Sequence, residues 1–138
     1  MASNYVYTIY VNRGKNDGTV SFECGSIKVW TKCWWDLTKP IMAKTYLGCS
    51  ATNMTDAGKE KKREAIYIPN TPGYDGIFIH KGTSPKWSKG CIVIPNNELL
   101  TIWKAIEPKN ASNVIVVVAD NTAAPLPYDE RECVNGRR

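Results

Sequence analysis

The sequence predicts a mostly β domain with one main α-helix, and three observations carry that reading. Short runs rich in Val, Ile, Tyr, Trp and Thr recur along the chain, each bounded by Gly, Pro, Asn or Ser. Only one stretch switches to helical period: Leu99, Ile102, Trp103 and Ile106 fall at i, i+3, i+4 and i+7. Residues 114–118, Val-Ile-Val-Val-Val, form a continuous β-branched run, as expected of a strand buried on both faces.

Taken in order, residues 5–11 read as a first strand and 14–18 as a turn. Residues 19–30 alternate as a hairpin, with Val20, Phe22 and Cys24 on one arm, a turn at Gly25-Ser26, and Ile27 and Val29 on the other. Cys33-Trp34-Trp35-Asp36 leads to a break near Pro40, and both tryptophans read as core. Residues 45–49 form a short strand, and the polar stretch 53–63 reads as a loop. A strand at 65–68 is stopped by Pro69, and 70–73 is a turn. Strongly apolar strands follow at 76–80 and 91–94. Asn96 or Asn97 can cap the helix, and Pro108 ends it. The expectation is about eight short strands in a single domain spanning 1–120, then a tail, 121–138, that is extended or partly disordered.

The chain has 138 residues, 43% hydrophobic and 22% charged, enough to build one core without staples. No run is long and apolar enough for a membrane span. The first residues lack the charged and apolar regions of a secretory signal, so the chain is expected to be cytosolic or to leave its cell by a route that reads no such signal. The net charge of +5 favours an anionic partner. The basic residues are scattered, and the one dense run, 59–63, is broken by Glu60, a poor nucleic-acid patch. Five cysteines leave at least one thiol free. Cys24 with Cys33 or Cys49 can form a disulfide, although small buried hydrophobes are the simpler role, and the pairing of Cys133 stays open. With one histidine and no CxxC pair, no metal site is expected.

The segment that carries chemistry runs from Gly76 to Ile94. His80, the sole histidine, ends one apolar strand, and Cys91 begins the next. The ten residues between them are rich in Gly, Ser, Thr and Pro, so the loop can fold back and set the two side by side. A free thiol is mostly protonated at neutral pH, and an adjacent imidazole that takes its proton leaves a strong nucleophile. Gly90 removes a Cβ from the approach to Cys91. The N–H groups of Gly90 and Cys91 are expected to face the carbonyl oxygen under attack.

This Ile-His-x-Gly…Ser-x-Gly-Cys-Ile pattern resembles the signature of the L,D-transpeptidase catalytic domain, a family of peptidoglycan enzymes. His80, Ser88, Gly90 and Cys91 match it one by one, and the helix and strand after the Cys match as well. Pro40-Ile41-Met42-Ala43-Lys44-Thr45-Tyr46 looks like the Pro-Ile-Pro-Ala-Gly-Thr-Tyr element of short phage-associated members and of members injected into rival cells by type VI secretion. The resemblance covers roughly residues 20–119. It implies an L,D-transpeptidase-like β-sandwich whose main helix follows the Cys strand. It implies acylation of Cys91 by a stem peptide, with no cofactor and no metal. The acyl-enzyme would be resolved by water, as in an L,D-carboxypeptidase, or by an amine, as in transpeptidation or D-amino-acid exchange. The small size, the basic charge and the missing secretory signal suggest an injected antibacterial effector that acts in a target cell's periplasm and is paired with an immunity protein. A non-catalytic phage or accessory module keeping the fold is the rival reading.

The chain departs from the family pattern at two positions. Val93 stands where an Arg is common, and Lys89 where a His is common. Arg63 or Lys89 is expected to supply the missing cation. Ser88 reads as a loop anchor, a partner of the catalytic pair, or a plain turn residue. Trp87 reads as a groove wall or as packing, and Tyr46 is expected to line the site.

Overall fold

Alternating side chains let each strand bury one face, and the chain solves the problem of exposed strand edges by closing on itself. The computed structural model describes residues 6–55, 62–88 and 90–120. Within them lie β1 (Tyr7–Arg13), β2 (Gly18–Cys24), β3 (Ile27–Trp35), β4 (Thr45–Thr55), β5 (Lys62–Ile68), β6 (Ile77–Lys81), a 3-10 turn (Pro85–Trp87), β7 (Ile92–Ile94), α1 (Asn96–Ala105) and β8 (Val114–Asp120). Neighbouring strands run β1-β2-β3-β7-β6-β5-β4-β8, and β8 pairs in parallel with β1 to complete a closed barrel.

The mostly β class with one helix is as the sequence indicates, but the expected sandwich has no open edges. Two long strands are the reason. β3 pairs with β2 along Ile27–Cys33 and then with β7 through Trp34 and Trp35. β4 pairs with β8 near its start and with β5 from Ser50 to Thr55. Each therefore belongs to both sheets and joins them.

Three boundaries differ from expectation. The arm at 27–30 continues to Trp35, because the crossing into the second sheet keeps its backbone paired. Part of the expected loop at 53–63 is strand: Asn53 pairs with Glu64, Met54 with Arg63 and Thr55 with Lys62. Ladder bonds come from the backbone, so polar side chains do not prevent them. Neither Asn96 nor Asn97 caps α1. Pro95, extended at φ −58 and ψ 145, occupies that position and its carbonyl accepts from Leu99 N–H at 3.0 Å. The expected tail at 121–138, with Cys133, lies outside the described residues, as does residue 5 of the first expected strand.

The core lies inside the barrel and under α1. Ile66, Ile79 and Ile92 meet there from three adjacent strands, with Leu99, Ile102 and Ile106 from the helix segment. Truncating such a side chain to Ala costs about 2–5 kcal/mol, so these contacts fix β6 and β7 against each other. The Trp103 indole N–H donates to Thr52 O at 2.8 Å, which ties α1 to β4. Cys24, Cys33, Cys49 and Cys91 are free thiols, and Cys33 and Cys49 are fully buried in the core.

Candidate active site

β6 and β7 are parallel neighbours with Ile79 opposite Ile92, His80 opposite Val93 and Lys81 opposite Ile94. Ile79 and Ile92 face the core. Alternation therefore turns Phe78, His80, Cys91 and Val93 to the opposite, outer face. The structure thus brings the two residues singled out by the sequence to one face of adjacent strands.

The connection between them is held by its own hydrogen bonds. Ser84 Oγ accepts from Lys86 N–H at 3.3 Å, and Ser88 N–H donates to Pro85 O at 3.0 Å. Gly82 N–H donates to Ile94 O at 2.9 Å, which closes the loop onto β7. Ser88 is buried; its carbonyl accepts from Cys91 N–H at 2.8 Å and its hydroxyl donates to Cys91 O. Of its three readings, loop anchor is what these contacts show. Gly90 has φ +97, a backbone region that L side chains rarely adopt, so the glycine is required by conformation.

One expectation is corrected here. Cys91 N–H is engaged by Ser88 O, so it does not face outward as an oxyanion donor. Of the expected donor pair, Gly90 N–H remains.

Cys91 is 7% exposed and His80 6%, whereas Cys33 and Cys49 are at 0%. The Cys91 residue therefore keeps a small exposure that the core thiols lack. Phe78 N–H donates to Cys91 Sγ at 3.4 Å, and the thiol lies 3.7 Å from Gly76 O. Burial pushes the thiol above its ordinary value of 9.0, while the Phe78 N–H and the charge of Arg63 pull it back. Phe78 was not singled out from the sequence; its contribution is a backbone group, which no residue type announces.

His80 Nδ1 lies 3.0 Å from Lys81 O. A carbonyl only accepts, so this contact assigns the proton to Nδ1 and leaves Nε2 as the basic nitrogen. A backbone carbonyl thus orients the imidazole.

Val93, at the position where family members commonly carry Arg, is fully buried between Trp34 of β3 and His80 of β6. Arg63 sits on β5, opposite Met54, and its charge reaches the Cys91 thiol. It also lines a pocket of about 300 Å³ with Lys81, Gly82, Thr83 and Asn96. A second hollow of about 370 Å³ lies at the Phe78 end of the same face, walled by Tyr67 and Phe78, whose ring centroids are 5.3 Å apart.

Tyr46 is corrected: it does not line this face. It is 2% exposed, belongs to the core, and its hydroxyl donates to Met42 O at 2.5 Å. A register shift between Tyr46 and Cys49, with Gly48 at φ +73, turns both inward although they are three residues apart. Lys89 and the side chain of Trp87 lie outside what is described. Among the described residues no group of three or more His, Cys, Asp or Glu is arranged to hold a metal ion, and no helix is long and apolar enough to cross a membrane.

The fold and face define a class: a closed β-barrel with one packed helix that presents a thiol and an imidazole from adjacent parallel strands. The model of the YkuD family, the L,D-transpeptidase catalytic domain, matches residues 4–118. The chain belongs to that family, which makes L,D-transpeptidase-type chemistry on peptidoglycan the general statement of its activity. Searches of curated proteins and of solved structures returned no match.

Proposed function

We propose that the protein is a cysteine acyl-transfer enzyme for peptidoglycan stem peptides, with Cys91 as nucleophile and His80 as base. The observation that carries this reading is the 3.0 Å contact of His80 Nδ1 with Lys81 O, which directs the ring proton to Nδ1 and leaves Nε2 as the accepting nitrogen on the face that Cys91 shares. The raised pKa keeps the Cys91 thiol protonated at rest. As Cys91 Sγ bonds to the substrate carbonyl carbon, its proton passes to His80 Nε2. The carbonyl oxygen takes up the negative charge, and Gly90 N–H is the backbone donor for it; one such donor is worth roughly 3 kcal/mol of barrier. The tetrahedral centre collapses, the C–N bond breaks, and His80 returns the proton to the leaving amine. The acyl thioester is then resolved by water, giving L,D-carboxypeptidase action, or by an amine, giving transpeptidation or D-amino-acid exchange.

Arg63 takes the place of the cation missing at Val93. It favours the thiolate, and with Lys81 it offers the nearby pocket to a stem-peptide carboxylate. Incubation with tetrapeptide and pentapeptide muropeptides followed by mass spectrometry tests the reading. Loss of a terminal D-residue, its exchange, or dimer formation names the acceptor; unchanged muropeptides with intact folded protein reject the activity.

The finer reading is an antibacterial effector that acts in a target cell's periplasm and is neutralised by an immunity protein filling the groove. Its support is the likeness of residues 40–46 to short injected relatives and a net charge of +5, suited to an acidic wall. Periplasm-directed expression should slow growth, and Cys91→Ala should restore it; equal growth in both argues against a toxin.

The rival reading, a non-catalytic phage or accessory module, has one observation in its favour, the raised Cys91 thiol. It requires iodoacetamide to label Cys91 no faster than Cys133.

A further inference from the structure

The outer face of β3 carries a row that neither the barrel nor the proposed reaction uses. Along this strand Val29, Cys33 and Trp35 are buried, and Lys28, Trp30, Lys32 and Trp34 take the alternate positions. Trp30 is 64% exposed, and the Lys28 and Lys32 side chains are 72% and 66% exposed. The half-buried Trp34 pairs with Val93, which in turn pairs with His80. The row therefore runs from open surface to the edge of the candidate site. An isolated exposed Trp needs no explanation, but this one repeats four residues later, about 13 Å along the strand. Opposite Trp30 stands Ser21, too small to cover the indole, and Tyr10 lies beyond it on β1.

We infer that this row is a docking track for the glycan strand of peptidoglycan. The inference rests on the peptidoglycan reading above for the identity of the polymer. Indole faces receive the C–H faces of sugar rings, a contact that asks for no net charge beside them. Continuity with the His80 face gives the track a purpose: it holds the polymer while a stem peptide reaches Cys91. The lysines argue against a nucleic-acid track. Lys28 Nζ lies 3.3 Å from Glu23 and Lys32 Nζ 3.2 Å from Asp17, so the local positive charge that phosphates require is largely offset.

Co-sedimentation of the full chain with purified sacculi tests the track, in a Cys91→Ala background that prevents turnover. The parent should sediment, and adding Trp30→Ala should weaken retention about tenfold, the loss of one stacked aromatic. Soluble glycan strands stripped of their peptides should compete. Melting temperatures equal to the parent's show that the variants remain folded. Retention unchanged by Trp30→Ala, or displacement by DNA but not by glycan strands, overturns the proposal. Muropeptide turnover by the unmodified chain reports on the reaction separately. Loss of retention in Trp30→Ala without any turnover in the parent would keep the track and reject the reaction.

Discussion

Ser88 closes a two-bond clasp on Cys91: its carbonyl accepts from Cys91 N–H at 2.8 Å while its hydroxyl donates to Cys91 O. The clasp holds the two peptide groups on either side of the nucleophile's Cα. Ser88→Ala leaves Cys91 O without its hydroxyl partner in a buried setting. The expected loss is about 1–3 kcal/mol of stability. Urea unfolding measures it, and kcat should fall more than KM rises, because the sulfur loses its aim.

Gly90→Ala is the second expectation. At φ +97 a side chain is strained, and its Cβ would meet Ile77 Cδ1 at 3.4 Å. Such backbone strain is of order 1–3 kcal/mol. Turnover should fall further than stability, since relief of the strain moves the N–H proposed to hold the oxyanion. Equal urea midpoints for the two proteins would contradict this.

Arg63 acts on the thiol through its charge. Arg63→Gln should slow iodoacetamide labelling of Cys91 about three- to tenfold at fixed pH, because less thiolate is present. Arg63→Lys should recover part of that rate. Labelling indifferent to all three residues would remove Arg63 from the site.

Alkaline pH should destabilise the fold through two thiols outside the site. Burial pushes Cys33 and Cys49 up to about 12 from an ordinary 9.0. Between those values the unfolded thiols lose protons that the folded ones keep, so stability is full below the lower value and falls as pH rises. The slope approaches about 1.4 kcal/mol per pH unit for each thiol. Cys33→Val, which does not titrate, should reduce the slope between about pH 9 and pH 11 by close to one proton in urea titrations.

Much of the site was legible because its apolar runs and loop chemistry are local. The strands around Ile79 and Ile92, the helix face of Leu99 and Ile102, and the return loop between His80 and Cys91 all announce themselves in residue type. What was not legible depends on long-range pairing. Arg63 reads as loop because its neighbours are polar, yet the ladder that places it uses only backbone. Tyr46 reads as lining the site until the register shift before Cys49 turns it inward. Phe78 N–H and Lys81 O touch Cys91 and His80 as main-chain groups, and no side-chain identity signals them. The closed barrel follows from two strands long enough to cross between sheets, a length hidden by reading one arm as ending at residue 30 and the other strand at residue 49.

The acyl-enzyme itself is the most direct test. The protein should be mixed with a tetrapeptide muropeptide, quenched in acid, and its intact mass and peptide map recorded. The account expects one acyl adduct, mapped to Cys91, absent in Cys91→Ala and formed at least about a hundredfold more slowly in His80→Gln. Product forming without any adduct on Cys91, or an adduct on another cysteine, would contradict it.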